Sequence, residues 1–169
     1  MVGRLQDKVA LVVGAGSIGP GWGNGKAAAV LFAREGAKVL CADVNEDAAN
    51  ETVQIIRQEN GTANAICADV TSHDDIRRMV KACMDVYGRL DVVDYNVGLA
   101  HVGGVVELPE EEWDRRFAVN LNGCYLTMKH VIAIMEKQGG GSIFNVYLPI
   151  LVWRMLLELQ ILTELQILL

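Results

Sequence analysis

The sequence predicts an α/β domain built on a doubly wound parallel sheet with helices on both faces. Short apolar runs rich in β-branched residues alternate with longer amphipathic runs along the first 146 residues. A glycine-rich segment joins the first apolar run to the first amphipathic run, and an acidic residue ends the second apolar run. Such alternation predicts parallel strands joined by right-handed crossovers. We expect the strand order 3-2-1-4-5, with a ligand crevice where strands 1 and 4 diverge.

Local signals place the individual elements. Apolar runs predict strands at residues 8–14, 38–42, 63–68, 90–93 and 142–146. Helices are predicted at residues 26–35, 46–59 and 72–87, from about residue 109, and at 122–138. Ser72 with Asp75 resembles a capping box, Pro109 before an acidic run marks a helix start, and Gly36 and Gly139 mark helix ends.

Composition limits the possible partners. The chain has 169 residues, a net charge of −6 and no run of Lys or Arg, so we expect no nucleic-acid partner. The four cysteines form no CxxC pair, and no two of the three histidines have a metal-like spacing, so we expect no metal site. The start of the chain has no signal-peptide hydrophobic region. We therefore expect a protein of the reducing cytoplasm.

The glycine-rich segment, residues 14–25, indicates phosphate binding. It lies between the predicted first strand and first helix, where a helix N-terminus offers free N–H groups and the positive end of its dipole. Glycines allow a sharp turn and a close approach of the backbone to a pyrophosphate. The alternative is a flexible loop without a ligand.

Asp43 ends the predicted second strand. A carboxylate at this place accepts hydrogen bonds from the adenosine ribose and repels a 2′-phosphate, so we expect NAD in preference to NADP. The alternative role of Asp43 is that of a turn or helix-cap residue.

Motifs spread over residues 5–146 occur in the order found in one known family. They are the run from Lys8 into the glycine loop, Asp69-Val70, Gly88-Arg89-Leu90-Asp91, Asn96-Val97-Gly98, Val119-Asn120 and Gly141 to Val146. Together they resemble the short-chain dehydrogenases/reductases, oxidoreductases with a Rossmann fold. The resemblance implies hydride transfer between a nicotinamide dinucleotide and an alcohol or ketone.

The resemblance also implies roles for individual residues. The loop is longer than usual, so the three glycines of the family correspond to Gly14, Gly23 and Gly25. Asp69 and Val70 correspond to the pair that contacts the adenine. The full set of implied cofactor-binding residues is Gly14, Gly23, Gly25, Asp43, Asp69, Val70, Asn96 and Gly98. Asn120 corresponds to the asparagine of the catalytic tetrad, which positions a water in the proton relay.

Departures from the family pattern bear on catalysis. Asp94 and Tyr95 replace an apolar residue and an asparagine, and Tyr147-Leu148 replaces two serines, of which the second is catalytic. No Tyr-x-x-x-Lys motif follows the predicted fifth strand, where the family has it, because no tyrosine follows Tyr147 and no lysine follows Lys137. Of the tetrad only Asn120 survives. Losing one proton-transfer residue costs about 10²–10⁴ in rate, so we expect impaired catalysis. Tyr147 as a substitute acid is an alternative without a lysine nearby in sequence.

The hydrophobic tail, residues 147–169, is unlike the family and forms the second predicted region after the domain of residues 1–146. Its pattern does not decide between helix and strand. Arg154, Glu158 and Glu164 argue against a membrane span, so we expect the tail to cover the edge of strand 5 or to pair with a second copy. Three origins are open for the tail: a reading-frame change, a truncation and a designed sequence, and the DNA sequence across residue 147 tests the first of them.

Two functions remain open. The first is an NAD-dependent oxidoreductase, impaired in this chain. The second is a non-catalytic dinucleotide-binding or self-associating module. We expect a homo-oligomer in either case, and the sequence does not identify the substrate.

Overall fold

A computed structural model describes residues 3–100 and 106–146. The hydrophobic tail, which includes Tyr147, lies outside the described residues, so the expectations for it stay predictions. In the described part, helices and strands alternate along the chain up to β4, as the apolar pattern predicts.

Five strands form one parallel sheet. They are β1 (Val9–Val13), β2 (Lys38–Asp43), β3 (Thr62–Cys67), β4 (Val92–Tyr95) and β5 (Ser142–Asn145). Their order in the sheet is 3-2-1-4-5, and this confirms the predicted doubly wound arrangement. The chain reverses direction across the sheet between β3 and β4, so the ends of β1 and β4 border a crevice.

Helices cover both faces of the sheet. They are α1 (Asn24–Arg34), α2 (Glu46–Gln58), α3 (His73–Tyr87), α4 (Glu110–Phe117) and α5 (Gly123–Gln138), with a π-helical turn at Ala118–Asn122 between α4 and α5. Helix α1 begins two residues before the predicted start. The predicted helices from residue 109 and at 122–138 are joined through the π-helical turn, whose extra residue per turn leaves no sequence signal of its own.

Strand β1 lies at the centre of two hydrophobic cores. All five of its residues are buried, because helices pack on both faces of a parallel sheet. Leu11 faces one core with Met79 of α3, and Val12 faces the other with Val30 of α1. Alternate side chains of β1 thus attach α1 to one face and α3 to the other, and this places the start of α1 at the crevice.

Candidate dinucleotide-binding site

The turn after β1 brings the chain across the carboxyl end of β2. The backbone N–H groups of Gly14 and Ala15 both donate to the carbonyl oxygen of Ala42, at 2.8 and 3.0 Å. Gly14 has a φ of +81°, which favours glycine, and a Cβ there would lie 3.1 Å from the backbone nitrogen of Val97. The turn therefore joins the ends of β1, β2 and β4 within one small region.

The start of α1 has free donors. Its N-cap is Gly23, with no side-chain cap and no acidic residue in the first turn. In contrast, Asn45 caps α2 and Ser72 caps α3, and both helices carry acidic residues in the first turn. An uncapped helix start bordering a crevice is an anion-binding arrangement, because its N–H groups have no intrahelical partner.

Gly25 is the point of closest contact between α1 and the sheet. A Cβ on Gly25 would overlap the carbonyl oxygen of Gly14, lie 2.9 Å from its carbonyl carbon and lie 3.3 Å from the Cβ of Asn96. Only a residue without a side chain lets α1 approach β1 and β4 so closely. The predicted cofactor residues Gly14, Gly25 and Asn96 are thus brought together.

Asp43 lies at the end of β2 and faces the glycine loop. Its Oδ2 accepts from the N–H of Gly16 at 2.8 Å, and its Oδ1 accepts from the N–H of Asn45 at 2.9 Å. A carboxylate oxygen can accept more than one hydrogen bond, so both oxygens retain capacity for ribose hydroxyls. Asp43 also shapes the turn that leads to Asn45, the N-cap of α2. The same position of the carboxylate is therefore compatible with both the predicted ribose role and the alternative turn role.

Asp69 and Val70 follow β3 and have different surroundings. The Oδ1 of Asp69 accepts from both the N–H and the hydroxyl of Thr71, each at 2.8 Å, and so shapes the turn before α3. Val70 is buried in the core that packs against α3, where its Cβ faces Gly123. The structure therefore gives both residues a structural role at the position where the family resemblance implies adenine contact.

The end of β4 carries buried polar groups. Asp94 is only 4% exposed, and burial raises the pKa of its carboxyl. The side-chain nitrogen of Asn96 is buried and has no hydrogen-bond partner among residues 3–100 and 106–146. Gly98 lies two residues further along, half-buried in the segment after β4.

Asn120 lies in the π-helical turn and holds the segment after β4. Its Oδ1 accepts from the N–H of Leu99 at 2.8 Å, and its Nδ2 donates to the carbonyl of Leu99 at 3.1 Å. The hydroxyl of Tyr95 donates to the carbonyl of Val119 at 2.8 Å, and this holds the same turn against β4. π-helical turns are frequent at functional sites. Both polar atoms of the Asn120 side chain are thus engaged by Leu99, at the position where the family resemblance implies a catalytic asparagine.

Histidines and cysteines are the remaining residues of the chain that could bind a metal ion or react. Burial lowers the pKa of His130, and the charges of Arg77, His73 and Lys129 add to this effect. Burial raises the pKa of Cys41 and of Cys83 to about 12, so both thiols stay protonated in the core. Cys67 is partly exposed at the end of the edge strand β3. Within the described ranges, no group of His, Cys, Asp or Glu could hold a metal ion.

Sequence reasoning missed two side chains of this region. Thr52 of α2 donates to the carbonyl of Ala15 at 2.7 Å, and Lys26 of α1 is 1% exposed with its Nζ 2.9 Å from Glu51. Neither has a motif in the sequence. Lys26 has one weak signal, since a cation in the first turn of a helix opposes the helix dipole and so calls for an explanation.

Comparison with known proteins assigns the family. The sequence model of the short-chain dehydrogenase family matches residues 8–147 of this chain. An uncharacterised oxidoreductase of Thermotoga maritima is 43% identical over 143 residues, which are 85% of this chain and 54% of that protein. The chain therefore belongs to the short-chain dehydrogenase family of oxidoreductases.

Solved structures agree with this assignment. A Burkholderia xenovorans chain assigned to the short-chain dehydrogenases/reductases has a TM-score of 0.80 and 44% identity, over 83% of this chain and 54% of that one. A 7α-hydroxysteroid dehydrogenase in complex with NADH and 7-oxo glycochenodeoxycholic acid has a TM-score of 0.76 and 33% identity, over 83% of this chain and 52% of that one. The chain spans about half the length of the curated relatives it matches.

Proposed function

We propose that the chain binds NAD in the crevice beside the start of α1, and prefers it to NADP. The observation that carries this proposal is the uncapped start of α1, held against β1 by Gly25 and placed beside the carboxylate of Asp43. The solved relative that contains NADH supports the choice of a nicotinamide dinucleotide.

The polar groups that border the crevice fit such a cofactor in two places. The free N–H groups at the start of α1, after Gly23, suit the negative charge of a pyrophosphate. The carboxylate of Asp43 suits two ribose hydroxyls and opposes a 2′-phosphate. Gly14, Asp69, Val70, Asn96 and Gly98 complete the proposed set of cofactor residues. When bound, NAD supplies a hydride acceptor, which the side chains of a protein lack.

The test compares both dinucleotides by calorimetric titration of the full chain. We expect NAD to bind at least about tenfold more tightly than NADP, equivalent to about 1.4 kcal/mol. The variant Asp43→Asn should lose most of this preference because it removes the charge that repels the 2′-phosphate. Asp47→Asn is the matched control, since Asp47 lies in the exposed first turn of α2 and should leave the preference intact. Tighter binding of NADP by the unmodified chain would contradict the role given to Asp43.

We also propose that hydride transfer to or from an alcohol or ketone is impaired in this chain. Asn120 is the only residue that matches the catalytic tetrad, and both atoms of its amide already bind Leu99. Tyr147 follows Val146 where the family pattern has a serine, and no Tyr-x-x-x-Lys motif lies between Tyr147 and Leu169, the region after β5 where the family pattern has it. The chain would then act as a dinucleotide-binding module, which was the second possibility from the sequence.

An activity assay separates the two functions. The chain is mixed with NAD and a panel of secondary alcohols, and NADH is followed by its absorbance while NAD binding is measured in parallel. Binding without turnover supports the module. Turnover at a rate typical of enzymes, about 1–10³ per second, would refute the proposed impairment.

We further propose that the chain forms a homo-oligomer. The π-helical turn and its flanking helices expose four large apolar side chains, which are Phe117 (40%), Leu121 (54%), Tyr125 (60%) and Ile132 (43%). Exposed apolar residues that lie together on one helical surface are typical of an interface. Light scattering tests this, and a monomer at all concentrations would exclude it.

No helix in the described part of the chain is long and apolar enough to cross a membrane.

A further inference from the structure

Lys26 is a buried cation next to the proposed site, and it is not among the proposed cofactor-binding residues. Its side chain is 2% exposed, and its Nζ lies 2.9 Å from Oε1 of Glu51, an exposed residue of α2. The first turn of a helix disfavours a positive charge, and burial of an ammonium group is costly unless it is paired and hydrogen-bonded. The position of Lys26 therefore needs a compensating role.

The second contact of Lys26 is with the glycine loop itself. Its Nζ donates to the carbonyl oxygen of Gly21 at 3.2 Å. The hydroxyl of Ser17 donates to the same oxygen at 3.2 Å and accepts from the N–H of Gly23 at 2.8 Å. Gly21 has a φ of +109°, so the chain reverses there in a conformation that few other residues adopt. Two side chains thus meet on one carbonyl in the part of the loop where it is lengthened.

Helix α2 holds this loop at two points. Glu51 pairs with Lys26, and the next residue, Thr52, donates to the carbonyl of Ala15 at 2.7 Å. The first contact holds the end of the loop, and the second holds its beginning. The loop would otherwise be free to move, because its exposed glycines lose much conformational entropy when they are ordered.

We propose that Lys26 is a positioning residue for the pyrophosphate of the dinucleotide. Its ammonium group fastens the lengthened glycine loop to α2 through Gly21 and Glu51, and so sets the direction of the free N–H groups at the start of α1. This inference rests on the proposed dinucleotide binding. It predicts that Lys26 matters for ligands that contain a pyrophosphate and not for adenosine alone.

The test measures the affinity of the full chain for NAD and for adenosine by calorimetry or NMR titration. Lys26→Met keeps an unbranched side chain, one heavy atom shorter, and removes the charge. We expect NAD to bind about tenfold more weakly, the usual size of a lost hydrogen bond to a charged group, with the affinity for adenosine unchanged. Lys38→Met is the matched control, because Lys38 is exposed at the start of β2, and it should change neither affinity.

Two further variants keep the proposal testable. Glu51→Gln alters only the exposed partner, so it should fold normally and should lower NAD affinity in the same direction by a smaller factor. The double variant Ser17→Ala with Lys26→Met should lose less NAD affinity than the sum of the losses in the two single variants, because both side chains act on the carbonyl of Gly21.

The outcomes are distinct. If Lys26→Met loses the same factor of affinity for NAD and for adenosine, or loses affinity for neither, Lys26 only forms a structural ion pair with Glu51, and the inference is overturned. If Lys26→Met does not fold, an unchanged NAD affinity in Glu51→Gln has the same consequence. If the unmodified chain binds no NAD, the proposed function fails, and this inference fails with it.

Discussion

Substitution of Gly25 by alanine tests the geometry of the crevice most directly. In an open helical position alanine is favoured over glycine by about 0.8–1 kcal/mol, so the exchange would stabilise the chain if α1 had room. The structure gives it no room, since the new Cβ would overlap the carbonyl oxygen of Gly14 and lie 2.9 Å from its carbon. The obstacle is backbone, which cannot rotate away as a side chain can.

The magnitude follows from this contact. To accept the methyl group, α1 must move away from β1 by on the order of 1 Å, and overpacking of this kind costs about 1–3 kcal/mol. The buried residues Ala29 and Val30 of α1 would lose part of their packing. The N–H groups at the start of α1 would move with the helix, so we expect NAD affinity to fall at least about tenfold.

The assay is denaturant unfolding of the full chain, followed by circular dichroism, with a parallel NAD titration. Gly19→Ala is the matched control, because it makes the same chemical change in the same loop where a Cβ would meet nothing within 4 Å. At that position alanine should leave the free energy of unfolding unchanged or raise it by up to about 1 kcal/mol. A Gly25→Ala variant as stable as the unmodified chain, with unchanged NAD affinity, would refute the close contact of α1 with the sheet.

Two further substitutions test the end of β4. Asp94→Val should raise the free energy of unfolding by about 1–3 kcal/mol at neutral pH, the cost of a buried, poorly paired polar group. Because burial raises the pKa of Asp94 in the folded chain, the unmodified chain loses stability as the pH rises above 3.8, the ordinary pKa of the carboxyl. The extra free energy of unfolding in Asp94→Val should therefore become smaller as the pH is lowered towards 3.8. A difference in the free energy of unfolding that does not change with pH would contradict this. Tyr95→Phe removes the hydrogen bond to the carbonyl of Val119 and should lower the free energy of unfolding by about 0.5–1.5 kcal/mol, and thermal unfolding without any loss would show that this contact does not hold the π-helical turn.

Local patterns in the sequence were sufficient for the class of fold. Buried parallel strands are continuous apolar runs, so β1 and β2 can be recognised without knowledge of their neighbours. Helix ends have short-range causes as well. Asn45 and Ser72 accept hydrogen bonds from N–H groups two or three residues away, and such caps can be read within one turn. The strand order followed from the rules for right-handed crossovers and is confirmed.

The candidate site was predictable only in part. The glycine segment and Asp43 stand at positions where strand, turn and helix follow one another along the chain, so their proximity could be inferred from order alone. The cost of placing Asp94 in a buried strand could also be stated in advance, and the structure shows the carboxyl buried, which raises its pKa.

The sequence by itself determined the sheet and the place of the glycine loop, because these depend on periodicity and on signals within a few residues. It determined the strand order through the general rules for crossover connections in doubly wound sheets. Only the tertiary structure decided that Lys26 is buried on the loop, that Gly25 touches the backbone of Gly14, and that Asn120 binds Leu99 from a π-helical turn. The physical reason is that these contacts depend on how closely two packed elements approach each other. That distance is set by the sum of many side chains in the core, and no short segment of sequence contains it.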